Sequence, residues 1–157
     1  MLAAALEELA ALGTVTARSQ VVDSAPVGPS QRTYANAAAL LESDCEPDSL
    51  LDGLQGLESA FGRRRHGQRW SARVLDLDIV LWSGGTWASE RLTIPHPHFR
   101  ARAFVSGPAA AIAPLWRDPL TGLTMRQLDA RLTRSGPLPK RVPGGRALSS
   151  VGRATDF

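Results

Sequence analysis

The 157 residues include 43% hydrophobic and 21% charged side chains, enough for one ordinary globular core and little more. No apolar run approaches the roughly 20 residues of a membrane span, the opening Met1-Leu-Ala-Ala-Ala-Leu-Glu-Glu lacks the basic start of a secretory leader, and the single cysteine, Cys45, excludes an internal disulfide and a cysteine-based zinc site. The formal charge of +3 and the pI near 10.0 suggest a polyanion partner, yet residues 136–157 hold Lys140, Arg141, Arg146 and Arg153 against Asp156, so residues 1–135 balance at 14 basic and 14 acidic.

In chain order, Leu2, Leu6 and Leu9 recur at helical spacing before Gly13 and predict a helix over 2–12. Val15, Val21 and Val22 predict a strand over 14–23. Residues 24–33, with two prolines, read as a long loop. Residues 34–43 suit a strand, although their alanines also suit a helix. Pro47 fits the first turn of a helix whose stripe is Leu50, Leu54, Leu57 and Phe61, ending near Gly62. Residues 63–73 form a polar, Arg-rich loop, and 74–82 is the clearest strand of the chain. Ser83-Gly84-Gly85 is a turn, 86–94 a short returning strand, and Pro95-His-Pro-His a stiff loop. Helices are predicted over 104–112 and 124–132. From Ser135 onward Gly, Pro, Ser and Arg dominate, giving a domain over 1–135 and a basic, disordered tail over 136–157.

The chemistry concentrates in Arg69-Trp-Ser-Ala-Arg-Val-Leu-Asp-Leu-Asp-Ile-Val-Leu. On a strand, Leu75, Leu77, Ile79 and Leu81 share one face, and Asp76 and Asp78 share the other with Cβ atoms about 6–7 Å apart. Two such carboxylates suit one hard cation, or two that bridge a polyphosphate. They equally suit a solvated strand face with Arg partners. Arg63, Arg64, Arg65, Arg69 and Arg73 fall in an acid-free stretch, and Arg binds phosphate oxygens bidentately. Carboxylates for Mg²⁺ beside arginines for phosphate are what a nucleoside triphosphate site needs. An exposed basic loop, or an RNA-contacting one with Trp70 as a stacking platform, accounts for the arginines as well. His96 and His98 match neither a zinc pair on a helix nor a catalytic triad. No glycine-rich phosphate loop is present, so any phosphate binding here uses side chains.

Taken together these segments resemble the 6-hydroxymethyl-7,8-dihydropterin pyrophosphokinase family of folate synthesis. The resemblance is carried, in order, by Pro26-Val-Gly, Tyr34-Ala-Asn36, Glu58 through Gly62-Arg63, Arg69-Trp-Ser-Ala-Arg-Val-Leu-Asp-Leu-Asp, Arg91-Leu-Thr-Ile-Pro-His96 and Arg102-Ala-Phe104 through Ile112-Ala-Pro114, and it runs from about Leu2 to Arg141. It implies an α+β, ferredoxin-like antiparallel sheet with helices packed on its faces. It also implies transfer of the β,γ-pyrophosphate of ATP to the pterin hydroxymethyl group, leaving AMP. By resemblance Asp76 and Asp78 bind two Mg²⁺ ions, and Arg63 and Arg73 neutralise the transferring group. Arg65, Arg69, Arg91, His96 and Arg102, with Gln55 and Thr93, take the ATP. The pterin stacks between Trp70 and Phe104, read at its edge by Asn36 and by the Ser24-Ala-Pro26-Val27 loop, with Tyr34 beside it. The implied partners are ATP and the dihydropterin, with no nucleic acid and no membrane, and the implied state is a cytoplasmic monomer.

The chain departs from the family pattern in three places. Ser71 replaces a usual Gly, and Ala111 stands where Glu is common before Ile-Ala-Pro. The third departure is at the front, where family members begin with a strand ending in Gly-Ser-Asn and this chain begins inside the following helix. The expectation is therefore a sheet lacking its first strand, with an exposed pairing edge, and a natural start further upstream. Residues 144–157 back-translate into the D-arm region of a transfer-RNA gene, which would make the basic tail a read-through. The rivals are a catalytically impaired truncated relative and a small RNA-binding module, the latter opposed by the neutral balance of 1–135.

Overall fold

The computed structural model describes residues 2–25, 33–63 and 75–134, without the side chain of Arg63. Helix α1 (Leu2–Glu8) tightens into a 3₁₀ turn over Leu9–Ala11, close to the predicted 2–12. Gly13 then turns the chain into β1 (Thr14–Arg18). A Cβ at Gly13 would lie 2.1 Å from the carbonyl oxygen of Glu42, so only glycine permits this approach.

The predicted strands over 14–23 and 34–43 are each broken in two. β1 and β2 (Val22–Ser24) run antiparallel to β4 (Ala39–Glu42) and β3 (Tyr34–Asn36) respectively. Each pair is its own two-stranded ladder. Ser19 explains the break and bridges it. Its N–H donates to the Ala38 carbonyl at 2.9 Å, and its hydroxyl accepts the Ala38 N–H at 2.9 Å. The side chain thus replaces a rung of the ladder and the hairpin bends there. A register shift between Val15 and Ala17 adds a bulge.

Helix α2 (Pro47–Arg63) starts on a fully buried proline, as predicted. Leu54 and Phe61 of its apolar stripe are buried. Ala5, Phe61 and Leu75 form one core cluster, with Leu2 and Leu77 against it. A second cluster is built on Phe99, Met125 and Leu128, with Val80, Leu81, Val105 and Trp116 packed around. Helix α3 (Ala103–Ile112) and helix α4 (Met125–Thr133) supply much of it. Thr124 caps α4 with a complete capping box: its hydroxyl accepts the Gln127 N–H, and the Gln127 side chain accepts the Thr124 N–H. The buried Ser106 hydroxyl donates to Asp129 at 2.8 Å and ties α3 to α4.

Among the described residues, 75–82 of the segment expected to be the clearest strand, 74–82, form no strand. Residues 75–81 carry no strand pairing among the described residues, and Trp82 makes a single bridge to Gly85. A strand exists by virtue of its ladder, and here two of the backbone groups have other partners. Leu77 N–H goes to the carboxylate of Glu58, and Val80 C=O accepts the His96 N–H. Burial alternates from buried Leu75 through exposed Asp78, but Val80 and Leu81 both pack on the second cluster, so the single Leu75–Leu81 face also fails. The segment spans the two core clusters instead.

The turn at 83–85 forms with Gly85 at φ +92°, a conformation suited to glycine. The strand expected over 86–94 is a small hairpin, β5 (Trp87–Ala88) with β6 (Thr93–Ile94). The Ile94–Pro95 peptide bond is cis. The architecture is thus mixed α and β, with small antiparallel sheets and four α-helices among the described residues. No helix there is long and apolar enough to cross a membrane. Most of the loops predicted over 24–33 and 63–73, namely 26–32 and 64–73, and the tail predicted over 136–157 lie outside the described residues.

Candidate active site

Asp76 and Asp78 are both exposed, with Leu77 half-buried between them. The alternation expected of this stretch therefore survives where the carboxylates are, and the two project from the side opposite Leu75 and Leu77. Packing of Leu75 and Leu77 against Phe61 and α1 anchors that end, and the His96 N–H bond to Val80 C=O, 3.0 Å, anchors the other.

Helix α2 organises the surroundings through a polar face that sequence reasoning did not single out. Asp48, Asp52, Gln55 and Glu58 follow one another at spacings of four, three and three residues, so they share a side of the helix opposite Leu50, Leu54 and Leu57. Asp48 accepts the Trp87 indole N–H at 3.1 Å and the Ser89 hydroxyl at 2.8 Å, which docks the β5–β6 hairpin on the first turn. Asp52 pairs with Arg91 at 2.5 Å, and Gln55 accepts from the same Arg91 nitrogen at 3.3 Å. Asp52 favours the charged guanidinium and raises its pKa. Glu58 accepts the Leu77 N–H at 2.6 Å. Two expected nucleotide residues, Gln55 and Arg91, are thus brought together, and Thr93 lies exposed on β6 close by in the chain.

His96 stands beside the carboxylates. Its Nε2 is 3.9 Å from Asp78 Oδ2. Its Nδ1 accepts the backbone N–H of His98 at 3.1 Å. Burial pushes its pKa down, with Asp78 acting in the opposite sense and Arg102 adding to the depression. Arg102 also lies over the ring of Phe104, 6.0 Å from its centroid, and so adjoins a second group of residues.

That second group surrounds a cleft of about 390 Å³ lined by Val22, Asp23, Ser24, Ala103, Phe104, Gly107 and Pro108. Ser24 ends β2, and Phe104 lies in the first turn of α3. Pro108 inside α3 has no N–H to offer the carbonyl of Phe104, four residues back. The Asn36 amide donates across the β2–β3 pair to Ser24 Oγ at 2.9 Å, and within β3 to the Tyr34 carbonyl at 3.1 Å. Of the residues expected at a pterin, Ser24 and Phe104 therefore line the cleft, and Asn36 and the Tyr34 carbonyl are hydrogen-bonded beside Ser24. Pro26, Val27, Arg65, Arg69, Trp70 and Arg73, and the side chain of Arg63, lie outside the described residues.

The donor set fits a hard divalent cation. Among the described residues no three His, Cys, Asp or Glu side chains converge on one point, so a cation at Asp76 and Asp78 would complete its shell with water and substrate oxygens. That is the habit of Mg²⁺, which keeps several waters and takes one or two carboxylates plus phosphate.

Comparison with known proteins bears on the same residues. Residues 1–114 match the family model described as 7,8-dihydro-6-hydroxymethylpterin-pyrophosphokinase (HPPK). A Methylorubrum extorquens protein named 2-amino-4-hydroxy-6-hydroxymethyldihydropteridine pyrophosphokinase is 40% identical over 139 residues, 87% of this chain and 86% of its own length. A Pseudomonas aeruginosa protein of the same name is 42% identical over 131 residues, 83% of this chain and 78% of its own. A Synechocystis protein of that name is 43% identical over 101 residues, 64% of this chain, and the match spans about half of that relative, 51%.

Proposed function

The chain belongs to the 7,8-dihydro-6-hydroxymethylpterin-pyrophosphokinase family, and we propose from this that it transfers the β,γ-pyrophosphate of ATP to the hydroxymethyl group of 6-hydroxymethyl-7,8-dihydropterin, leaving AMP and the pterin diphosphate, a step of folate synthesis. The observation that carries the reading is the juxtaposition of the exposed Asp76–Asp78 pair with His96, Nε2 to Oδ2 3.9 Å. A divalent cation held by the two carboxylates would offset triphosphate charge, and His96 beside them supplies a hydrogen-bond donor.

In this reading the chemistry is almost entirely positioning and charge compensation. Asp76 and Asp78 hold Mg²⁺, two ions, whose charge offsets that of the triphosphate oxygens. Arg91, oriented by Asp52 and Gln55, takes phosphate with its remaining N–H groups, beside Thr93. His96 donates from Nε2, and Arg102 adds charge between the nucleotide and the pterin. Arg65 and Arg69 complete the nucleotide contacts. Arg63 and Arg73 neutralise the group in flight. The pterin lies between Phe104 and Trp70, with Asn36, Tyr34, Ser24 and the Pro26–Val27 backbone at its edge. A flat heteroaromatic gains from two π faces and fixed edge donors. The cleft at Ser24 and Phe104 supports this placement.

The same reading takes the strands as parts of one ferredoxin-like antiparallel sheet, supported by the antiparallel sense of every described pair. It assigns the activity to residues 1–135 of a cytoplasmic monomer and none to 136–157. A coupled assay for AMP from ATP, Mg²⁺ and the hydroxymethyl-dihydropterin tests it. Pterin-dependent AMP is the expected product, and ATP consumption that ignores the pterin would sink the proposal.

A further inference from the structure

Glu58, on the polar face of α2, reaches the Asp-bearing segment. Its Oε1 accepts the Leu77 N–H at 2.6 Å, a partly buried bond between residues 19 apart in sequence. Leu77 lies between Asp76 and Asp78, so the bonded N–H belongs to the peptide that joins Asp76 to Leu77. Strand neighbours hold such a peptide in most sheets. Residues 75–81 have no ladder among the described residues. The fixed points are therefore Glu58 at Leu77, His96 at Val80, and the apolar packing of Leu75 and Leu77. Of the two hydrogen bonds, the Glu58 bond is the one at the residue between the carboxylates, where the packing of Leu77 acts with it.

We propose that Glu58 is a positioning residue for the Asp76–Asp78 pair: its carboxylate fixes the intervening peptide and thereby the spacing and direction of the two side chains that take the divalent cation. The inference rests on the cation reading of that pair. A hydrogen bond to a backbone N–H has a preferred distance and direction, so it fixes the peptide that bears it. Groups that orient metal-ligating side chains from behind govern affinity without touching the metal. The α2 helix supplies the rigid base, with Phe61, one turn on, buried against Leu75.

The test is Mn²⁺ binding to the full chain with a non-hydrolysable ATP analogue, free Mn²⁺ being read by electron paramagnetic resonance. Glu58→Ala should weaken Mn²⁺ binding roughly 10- to 100-fold, as loss of an orienting partner does. Glu58→Gln keeps an acceptor oxygen and loses the charge, and should stay within about threefold of wild type, because the hydrogen bond and not the charge sets the geometry. Glu58→Asp keeps the charge but loses the reach, and should behave like Glu58→Ala. The Leu77 amide proton, far downfield in wild type and in Glu58→Gln, should move upfield in the other two. Should Glu58→Ala fail to fold, the contrast of Gln with Asp carries the test. The proposal is overturned if Glu58→Asp binds as wild type does, or if Glu58→Gln falls as far as Glu58→Asp. Wild-type protein that binds no Mn²⁺ would instead remove the cation reading itself, and this inference with it.

Discussion

The backbone N–H of His98 donates to Nδ1 of His96 at 3.1 Å, which makes Nδ1 an acceptor and leaves the proton of the neutral ring on Nε2. Nε2 is the nitrogen that faces Asp78. Burial favours the neutral ring by pushing its pKa down. The side chain is thus a donor with its polarity set by the Pro-His-Pro-His backbone. Glutamine places an amide near the Nε2 position, and asparagine places one near Nδ1. We expect His96→Gln to keep the KM for ATP within a few-fold of wild type. His96→Asn and His96→Ala should raise it about tenfold or more, the worth of one hydrogen bond to a charged group. Steady-state kinetics on the three variants decide this, and equal losses in Gln and Asn would falsify the Nε2 assignment.

Asp76 and Asp78 are exposed, and neither is among the residues that form the core. Their replacement should therefore leave the fold intact while removing the cation ligands. Asp76→Ala and Asp78→Ala should each lower turnover by about a thousandfold or more, since a divalent cation supplies several kcal/mol of charge stabilisation. Thermal midpoints should stay within a few degrees of wild type. Single-turnover AMP formation at saturating Mg²⁺ measures the first effect, and retention of the wild-type rate by either variant would remove that residue from the cation site.

Phe104 lines the 390 Å³ cleft beside Ser24, and Arg102 lies over its ring. A stacking role separates pterin from nucleotide. Phe104→Ala should raise the KM for the pterin roughly tenfold or more, from the lost stack and apolar area. Phe104→Tyr should recover most of it. The KM for ATP should change little in both. Titration of the pterin by its own fluorescence checks the first value, and an equal loss of ATP affinity would make Phe104 a structural residue of α3.

Much of this site was legible in the sequence because its residues lie in short segments whose local chemistry is decisive. The Asp76–Leu77–Asp78 alternation and the Phe104 helix survive in the structure. Two features were not legible. The strand expected over 74–82 has the right pattern of residues and lacks a ladder, because periodicity reports which faces are apolar and not which strand lies alongside. The Glu58–Leu77 bond joins residues 19 apart, a tertiary contact that the apolar stripe of the helix does not report. A search for polar residues at helical spacing opposite Leu50, Leu54 and Leu57 would have marked Asp48, Asp52, Gln55 and Glu58 as one face. The breaks at 19–21 and 37–38 depend on the hydroxyl of Ser19, which β-propensity does not register.

Asp118 makes the strongest case for a pH dependence of stability. Its side chain is inaccessible and accepts both Arg100 Nε and Nη2 at 2.6 Å, the Thr121 hydroxyl at 2.6 Å and the Leu120 N–H at 3.1 Å. These donors, the Arg100 guanidinium foremost, lower its pKa to about 2 from an ordinary 3.8. A lowered carboxyl pKa means that the unfolded chain takes up the proton first. The stabilisation is therefore full above about pH 5 and is lost as the pH falls through the folded value, a contribution on the order of 2 kcal/mol. Asp118→Asn should lower the unfolding free energy at pH 7 by at least that much, because Arg100 would keep only a neutral partner. It should also flatten the dependence between pH 5 and pH 2. The consequence reaches the site through packing: Arg100 lies 4.7 Å from the centre of the Phe99 ring, and Phe99 is fully buried in the cluster that carries Val80 and Leu81. Urea denaturation of both proteins at pH 7, 5 and 3 measures the effect. Parallel pH profiles for the two would show that Asp118 titrates as it does in the unfolded chain.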